Sequence, residues 1–302
     1  MDPELSEIFM NRISLVIIFF SCIGISIVTG DTDQQNVILI SWDGISRDTL
    51  EYLIDSGNLE HLSGILENGS FVNISITDHF PDTLSGHAQI LTGYSPEISG
   101  VFKSMRYKEI PEGYTVFERL KEFAGDDGIS TVIIASQERS LGPLKGLPFY
   151  HAGKVVDYYY DQNSDAGLLG TVVSEALYHF AQKGRFFMFV HFRDAADAGY
   201  AFGAGTKKQE DSIQSIDASL GEILKTIQKA GIMEKTAIYI TTDHGFNTGQ
   251  KDYTGQANLW LVANEPGLNM NGDQKDIALT ILKKFQVPYE NITPHYPGEP
   301  LI

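Results

Sequence analysis

Cysteine is almost absent from this chain: among 302 residues there is one, Cys22. Beyond it disulfides contribute nothing, so the fold must rest on its buried core alone. Positive charge is also scarce, with 22 Lys and Arg against 39 Asp and Glu and a net charge of −17. Such an acidic surface repels phosphate backbones and argues against a nucleic-acid polymer as a standing partner. It leaves room for a small phosphate drawn into a metal-lined pocket. Internal repeats and low-complexity tracts are missing, which makes one domain after the leader the economical reading. Only one long apolar run occurs, Ile13 to Val28, preceded by Arg12 and followed by Thr29-Gly30. It is short for a spanning helix and suits a signal peptide cleaved before Asp31, with an uncleaved anchor as the alternative. Residues 1–30 therefore read as a signal peptide or membrane anchor and 31–302 as a single exported domain. Membrane contact is expected only through that N-terminal segment. Asp2, Glu4, Glu7 and Arg12 leave with the leader, so the net charge becomes −15. Some 270 residues are ample for one α/β core.

Along the chain, β-branched and aromatic runs alternate with helical periodicity, the order of a doubly wound sheet. Strands are expected at Val37–Trp42, Phe71–Ile76, Thr131–Ala135, Phe186–Phe192, Thr236–Thr241 and Leu259–Ala263. Helices are expected near Ser46–Asp55, Leu59–Glu67, Thr83–Leu91, Thr115–Phe123, Asp165–Gln182, Lys208–Lys229 and Gln274–Phe285. The stretch Gln137–Asp161, rich in glycine, proline and tyrosine, has no clear period and reads as a surface excursion. The fold class expected is a three-layer α/β/α sandwich on a mostly parallel sheet.

Two distant stretches read as halves of one metal site. Ile38 to Gly44 (ILISWDG) and Ile238 to Phe246 (IYITTDHGF) each run apolar and then end in an acidic residue followed within two positions by glycine. A buried parallel strand delivering a side chain to its carboxyl end looks like this, and ligands of open α/β sheets bind beyond those ends. Asp43, Asp243 and His244 then offer carboxylate oxygens and an imidazole nitrogen, a set suited to zinc or manganese. A third stretch, Phe80 to Pro96 (FPDTLSGHAQILTGYSP), places Thr83 at the start of a helix. There the helix dipole and open N–H groups can hold a phosphate, and an adjacent metal can activate the hydroxyl. Thr83 as a mere N-cap is the plain alternative.

The order of these motifs resembles the alkaline phosphatase superfamily: Asp at the first strand end, T-x-x-x-H with L-T-G-x-x-P, then D-H-G-F. Its type I phosphodiesterase and nucleotide pyrophosphatase branch is the nearest match, from about Asn36 to the closing GEPL. The resemblance implies a phosphate-ester hydrolase in which a threonine attacks phosphorus between two metal ions. On the nucleophile side the matching positions are Asp43, Thr83, Asp243 and His244, all of the expected type. The second metal's ligands should be an Asp, a His and a later His, and the positions in register are Ala196, Tyr200 and Tyr253. None of these is a zinc ligand at neutral pH. The resemblance thus implies one retained ion and a degenerate second site. The family's substrate-contacting Asn corresponds to Ser104, and its Pro-Asn and His-Gly pairs to Ser85-Gly86 and Ser99-Gly100. His87 reads as a packed helix residue, His191 as part of a strand, and His295 as part of a proline-rich tail.

With one ion, the charge developing on the leaving oxygen needs another stabiliser. Lys103, Arg106, Arg193, Lys207, Lys208 and Lys251 fall in loops near the motifs. Two functions follow. One is an exported metal-dependent hydrolase of small phosphate esters, with Thr83 as nucleophile. The other is a non-catalytic descendant of the same fold that serves as a binding or structural module.

Overall fold

Every residue of the first strand, β1 (Asn36–Trp42), is buried, and its side chains alternate between two separate cores. Val37 and Leu39 enter one, while Ile38, Ile40 and Trp42 enter the other. A strand that is apolar on both faces needs a helical layer on each. The structure, a computed structural model, describes residues 36–137, 141–247, 249–251 and 258–302, and it supplies both layers. The central sheet has eight strands, in the order β10 (Asn271–Asp273), β2 (Ser70–Ser75), β9 (Asn258–Ala263), β8 (Thr236–Thr241), β1, β7 (Phe186–Phe192), β5 (Ser130–Ala135) and β6 (Tyr158–Asp161). It is parallel except where β9 runs antiparallel to β2 and β8.

On one face, α3 (Thr83–Thr92), α5 (Val116–Ala124) and α10 (Asp276–Lys284) pack against the odd-numbered side chains of β1. On the other, α1 (Arg47–Asp55), α2 (Glu60–Leu66), α7 (Ala166–Phe180) and α9 (Lys207–Lys229) cover the even-numbered ones. This is the expected three-layer sandwich, with residues 33–302 forming one compact unit. The connections carry three short helices, α4 (Pro96–Ser99), α6 (Ala152–Val155) and α8 (Asp194–Phe202), and a hairpin of β3 (Val101–Lys103) and β4 (Arg106–Tyr107).

The stretch Gln137–Asp161 differs from a plain surface excursion, because Tyr158–Asp161 pairs in parallel with Val132–Ala135 as the edge strand β6. An edge strand has one neighbour and half-exposed side chains, so it lacks the apolar run that marks β1 or β7. Helix α8 was equally hard to read, since DAADAGYAF carries no apolar stripe.

One polar contact joins two helices of the even-numbered layer. Leu59, at the start of α2, offers no side-chain cap. Asp217 of α9 fills that role by accepting from the His61 and Leu62 N–H groups at 3.0 and 2.8 Å. The carboxylate sits where helix N–H groups and the helix dipole favour an anion. Asp217→Ala is expected to cost about 1–3 kcal/mol, since it strands two donors. Thermal unfolding should register this as a drop of several degrees, at roughly 2–4 °C per kcal/mol for a chain of this size. An unchanged midpoint would remove the contact from the list of stabilising interactions.

Strand β1 lies between β8 and β7, so chain connections leave it in opposite directions. In a doubly wound sheet that switch point opens a crevice beyond the carboxyl ends.

Candidate active site

The crevice receives the residues that follow β1 and β8. Asp43 comes directly after Trp42, and its N–H is held by the Phe192 carbonyl at 2.9 Å. Thr242-Asp243-His244 comes directly after Thr241, the register partner of Ser41. Adjacent parallel strands of matched length therefore bring Asp43 and Asp243 side by side from positions 200 apart in the chain. Asp43, Asp243 and His244 are completely buried, and one ligand atom from each lies within 4.8 Å of the others. The turn after Asp43 needs glycine: Gly44 has φ +76°, and a Cβ there would stand 2.6 Å from the Phe246 ring.

Each carboxylate uses one oxygen and keeps the other. Asp43 Oδ2 faces His191 Nε2 at 3.0 Å, and Asp243 Oδ1 accepts from the Gly44 N–H at 3.3 Å. Asp43 Oδ1 and Asp243 Oδ2 are buried and accept no hydrogen bond from the described residues. His244 directs Nδ1 at its neighbour's carbonyl, Gly245 O, at 3.1 Å. That contact makes Nδ1 the protonated nitrogen of the neutral ring and leaves the Nε2 lone pair as the metal donor. Nε2 stands 3.2 Å from Asp43 Oδ1 and 3.8 Å from Asp243 Oδ2. Two orphaned buried carboxylate oxygens beside an oriented imidazole fit a divalent cation, because leaving such charges unpaired is costly.

The protonation states agree with that. Burial pushes Asp243 up to about 7, and the neighbouring Asp43 charge adds to the shift. Burial opposes ionisation of Asp43 as well, yet the His191 and His244 rings against it hold its carboxyl well below the usual carboxylate range. In His244, burial favours the neutral ring but is outweighed by Asp243 and Asp43, which raise it to about 9. Both His244 and Asp243 must shed protons to ligate a metal. Zinc affinity is therefore expected to fall as pH drops, by about tenfold per unit between 9 and 7 and more steeply below 7. Chelator competition at several pH values measures this. A flat profile would exclude these groups as ligands.

Thr83 enters from the opposite side of the crevice. Asp82, not Thr83, is the N-cap of α3: its Oδ1 accepts from the Ser85 N–H at 3.0 Å and its Oδ2 from the Ser104 N–H at 2.6 Å. The Thr83 hydroxyl is thus not spent on capping, and Oγ1 lies 3.3 Å from His244 Nε2. Two glycines make the approach workable, Gly44 at the turn and Gly86 in α3, where a Cβ would collide with the Asp243 carbonyl.

Sequence reasoning underrated two histidines. His191 lies in β7, fully buried, and holds Asp43. His87 is packed in α3 as expected, with Nε2 2.9 Å from Ser41 Oγ, but its Nδ1 is 4.0 Å from Asp243 Oδ2. A histidine within a strand is ordinarily core, and the signal missed was that His191 sits one residue from the end of a strand paired with β1.

At the second-site positions the structure contains hydrocarbon. Ala196 is fully buried with Ala204 and Phe246. Tyr200 packs against them, its ring edge-on to Phe246 at 4.9 Å. Tyr253 lies outside the described residues. The nearby acids do not turn in to replace the missing ligands: Asp194 Oδ1 accepts from the Ala166 N–H at 2.9 Å, and Asp197 pairs with Arg193 at 2.9 Å. Among the other basic candidates, Lys207 pairs with Asp211 at 3.0 Å and Lys251 donates to the Ala201 carbonyl at 2.5 Å. Arg106 lies over the Phe102 ring at 4.2 Å. Lys103 stands 6.0 Å from the Phe80 ring, beside the nucleophile loop.

A mostly parallel sheet flanked by helices, with an Asp/Asp/His cluster beside a threonine at its carboxyl edge, defines an alkaline phosphatase-like protein. Residues 37–299 match the type I phosphodiesterase / nucleotide pyrophosphatase family, and the chain belongs to it. It is similar to human ectonucleotide pyrophosphatase/phosphodiesterase family member 5, 22% identical over 278 residues, 88% of this chain and 56% of that protein. It is also similar to mouse bis(5'-adenosyl)-triphosphatase enpp4, 21% identical over 232 residues, 72% of this chain and 48% of that one. The chain thus spans about half the length of these curated relatives. Murine ectonucleotide pyrophosphatase/phosphodiesterase 5 shares the fold at TM-score 0.62 and 13% identity, covering 84% of this chain and 95% of that one. So does the lipoteichoic acid synthase LtaP from Listeria monocytogenes, at TM-score 0.60 and 14% identity, over 88% and 74%.

Proposed function

We propose that this chain is an exported, metal-dependent hydrolase of small phosphate esters, phosphodiesterase- or nucleotide pyrophosphatase-like, in which Thr83 is the nucleophile. The reading is carried by one observation: the Thr83 hydroxyl, not engaged as a cap, stands beside an imidazole nitrogen and two buried carboxylate oxygens that have no other partner. Asp43 Oδ1, Asp243 Oδ2, His244 Nε2 and Thr83 Oγ1 would hold one divalent ion, with zinc preferred to manganese for a set that includes imidazole. Such an ion supplies Lewis acidity that lowers the pKa of the hydroxyl. Thr83 oxygen attacks phosphorus, losing its proton, and the bond from phosphorus to the leaving alcohol oxygen breaks. That oxygen takes up a proton as it departs. Water then attacks the phosphothreonine, restoring the hydroxyl and releasing the phosphate product. The N–H groups opening α3 face negative charge at phosphorus. Ser104, held to Asp82, stands at the family's substrate-contact position, and Lys103 beside it is the basic group nearest the nucleophile loop. Domain boundaries at 31–302 and export by residues 1–30 belong to the same proposal.

One ion is favoured over two because Ala196, Tyr200 and Phe246 fill the degenerate second position with apolar atoms. That same filling is what favours the alternative, a non-catalytic binding module of this fold. The two differ in turnover. The full chain is expected to bind about one zinc, in keeping with a single set of ligands. It should hydrolyse p-nitrophenyl phosphate or its bis ester, lose that activity to a chelator and regain it with zinc. One bound ion without turnover of either ester would favour the binding module, and no bound ion would end both readings.

A further inference from the structure

Gln274 is completely buried between β10 and α10, and each of its side-chain polar atoms is engaged on a different segment of the site. Its Nε2 donates to the carbonyls of Thr242 and Asp243 at 3.2 and 3.0 Å. With two carbonyls facing the nitrogen, the amide orientation is settled, and Oε1 is the atom that meets His79 Nε2 at 2.7 Å. The other ring nitrogen of His79 lies 2.7 Å from the Phe80 carbonyl. That carbonyl also accepts from the Asp82 N–H at 2.9 Å and from Ser85 Oγ at 2.5 Å. The Gln274 N–H completes the set on Ser75 O, at the end of β2, at 3.0 Å. A continuous run of hydrogen bonds therefore links the backbone that carries Asp243 and His244 to the loop that presents Thr83. On its other side the Asp243 carbonyl is pressed against Gly86 of α3.

Gln274 reaches no ligand atom and no substrate position. Its amide is the one buried side chain that grips both halves of the site through their main chains. We propose that Gln274 is a positioning residue, clamping the nucleophile loop to the metal-binding segment through His79, and so setting the distance between Thr83 and His244. The inference rests on the hydrolase reading. Side chains that orient first ligands commonly change metal affinity or activity by 10–100-fold when removed.

The test uses the full chain with Gln274→Met, which keeps length and loses every polar atom, together with His79→Ala and His79→Gln. His79 is exposed, so its variants fold even where Gln274→Met does not. Zinc dissociation constants, kcat and KM for a p-nitrophenyl ester, and amide exchange over residues 79–86 are measured in each. Gln274→Met is expected to weaken zinc by about tenfold or more and to speed exchange over that loop. His79→Ala should leave zinc affinity within about twofold, lower kcat by about tenfold at unchanged KM and speed the same exchange; His79→Gln, which still donates one bond, should recover part of kcat. A residue with a merely structural role would shift the melting midpoint and leave this division between affinity and kcat unseen. Parental zinc affinity, kcat and loop exchange in all variants would overturn the clamp while leaving the hydrolase reading intact. If the parent neither binds zinc nor turns over ester, the hydrolase reading fails on its own, and exchange in Gln274→Met and His79→Ala decides the clamp. Faster exchange supports it and unchanged exchange ends it.

Discussion

Thr83→Ala is expected to lower ester turnover by at least about 10³-fold, with metal content and melting midpoint close to those of the parent, because it removes the nucleophile and little else. The structure explains why the effect is confined to chemistry. Capping of α3 belongs to Asp82, so the helix keeps its first turn when the Thr83 hydroxyl is gone. Only one contact of that hydroxyl, to His244 Nε2, is lost from the crevice. Thr83→Ser keeps an oxygen at the same position and should retain measurable activity. The decisive comparison is single-turnover hydrolysis by the three proteins at equal zinc. Turnover by the alanine form within tenfold of the parent would strip Thr83 of its role, whatever metal the protein carries. A threonine-to-alanine form of murine ectonucleotide pyrophosphatase/phosphodiesterase 5, itself described as inactive, has been solved with AMP, and it shares this fold at TM-score 0.62 and 13% identity over 84% of this chain and 96% of that one.

Asp243→Asn separates function from stability. It should weaken zinc binding by at least about 100-fold, since an amide oxygen is a poor substitute for a carboxylate oxygen with no other partner. Without metal the same change is expected to stabilise the fold. Burial, with Asp43 adding to it, raises Asp243 to about 7 in the folded chain, against about 3.9 in an unfolded one. A carboxyl raised in this way contributes stability that is fully present below the unfolded value and is lost as pH rises through the folded one. Metal-free parent protein should therefore lose stability as pH climbs from about 4 through 7, at up to about 1.4 kcal/mol per unit from this group. Asp243→Asn should be free of that loss and exceed the metal-free parent above pH 7. Denaturant unfolding of both proteins with chelator at pH 5 and pH 8 checks the sign. An asparagine form less stable than the parent at pH 8 would mean that the Asp43–His244 contact needs the Asp243 charge.

How much of the site was legible depended on whether a residue's neighbours are local in sequence. Asp43, Asp243 and His244 could be read because each ends a buried apolar strand, and strand ends in an open α/β sheet share a crevice. Thr83 was legible as a helix start, but whether its hydroxyl was free or spent as a cap was not. That question turned on one residue of register, which Asp82 decides by taking the Ser85 N–H. His191 was read as core because nothing near it in sequence says that β7 pairs with β1 at the register that brings His191 Nε2 to Asp43. Gln274 opened an amphipathic helix in the sequence and gave no hint that three segments converge on its amide. The edge strand β6 and the alanine-rich α8 were missed for a related reason, since neither buries enough apolar surface to leave a period.

The pattern of apolar residues determined the layers: β1 feeds two cores because every second side chain of an extended chain points the same way, and that periodicity is a property of the backbone. The ligand types at the strand ends followed with it. Which oxygen of each carboxylate stays unpartnered, which nitrogen of His244 faces the crevice, and which residue caps α3 were decided by the tertiary structure alone. These depend on contacts of about 3 Å between segments far apart in the chain, and hydrogen bonds of that length are created only when the sheet and its two helical layers close around them.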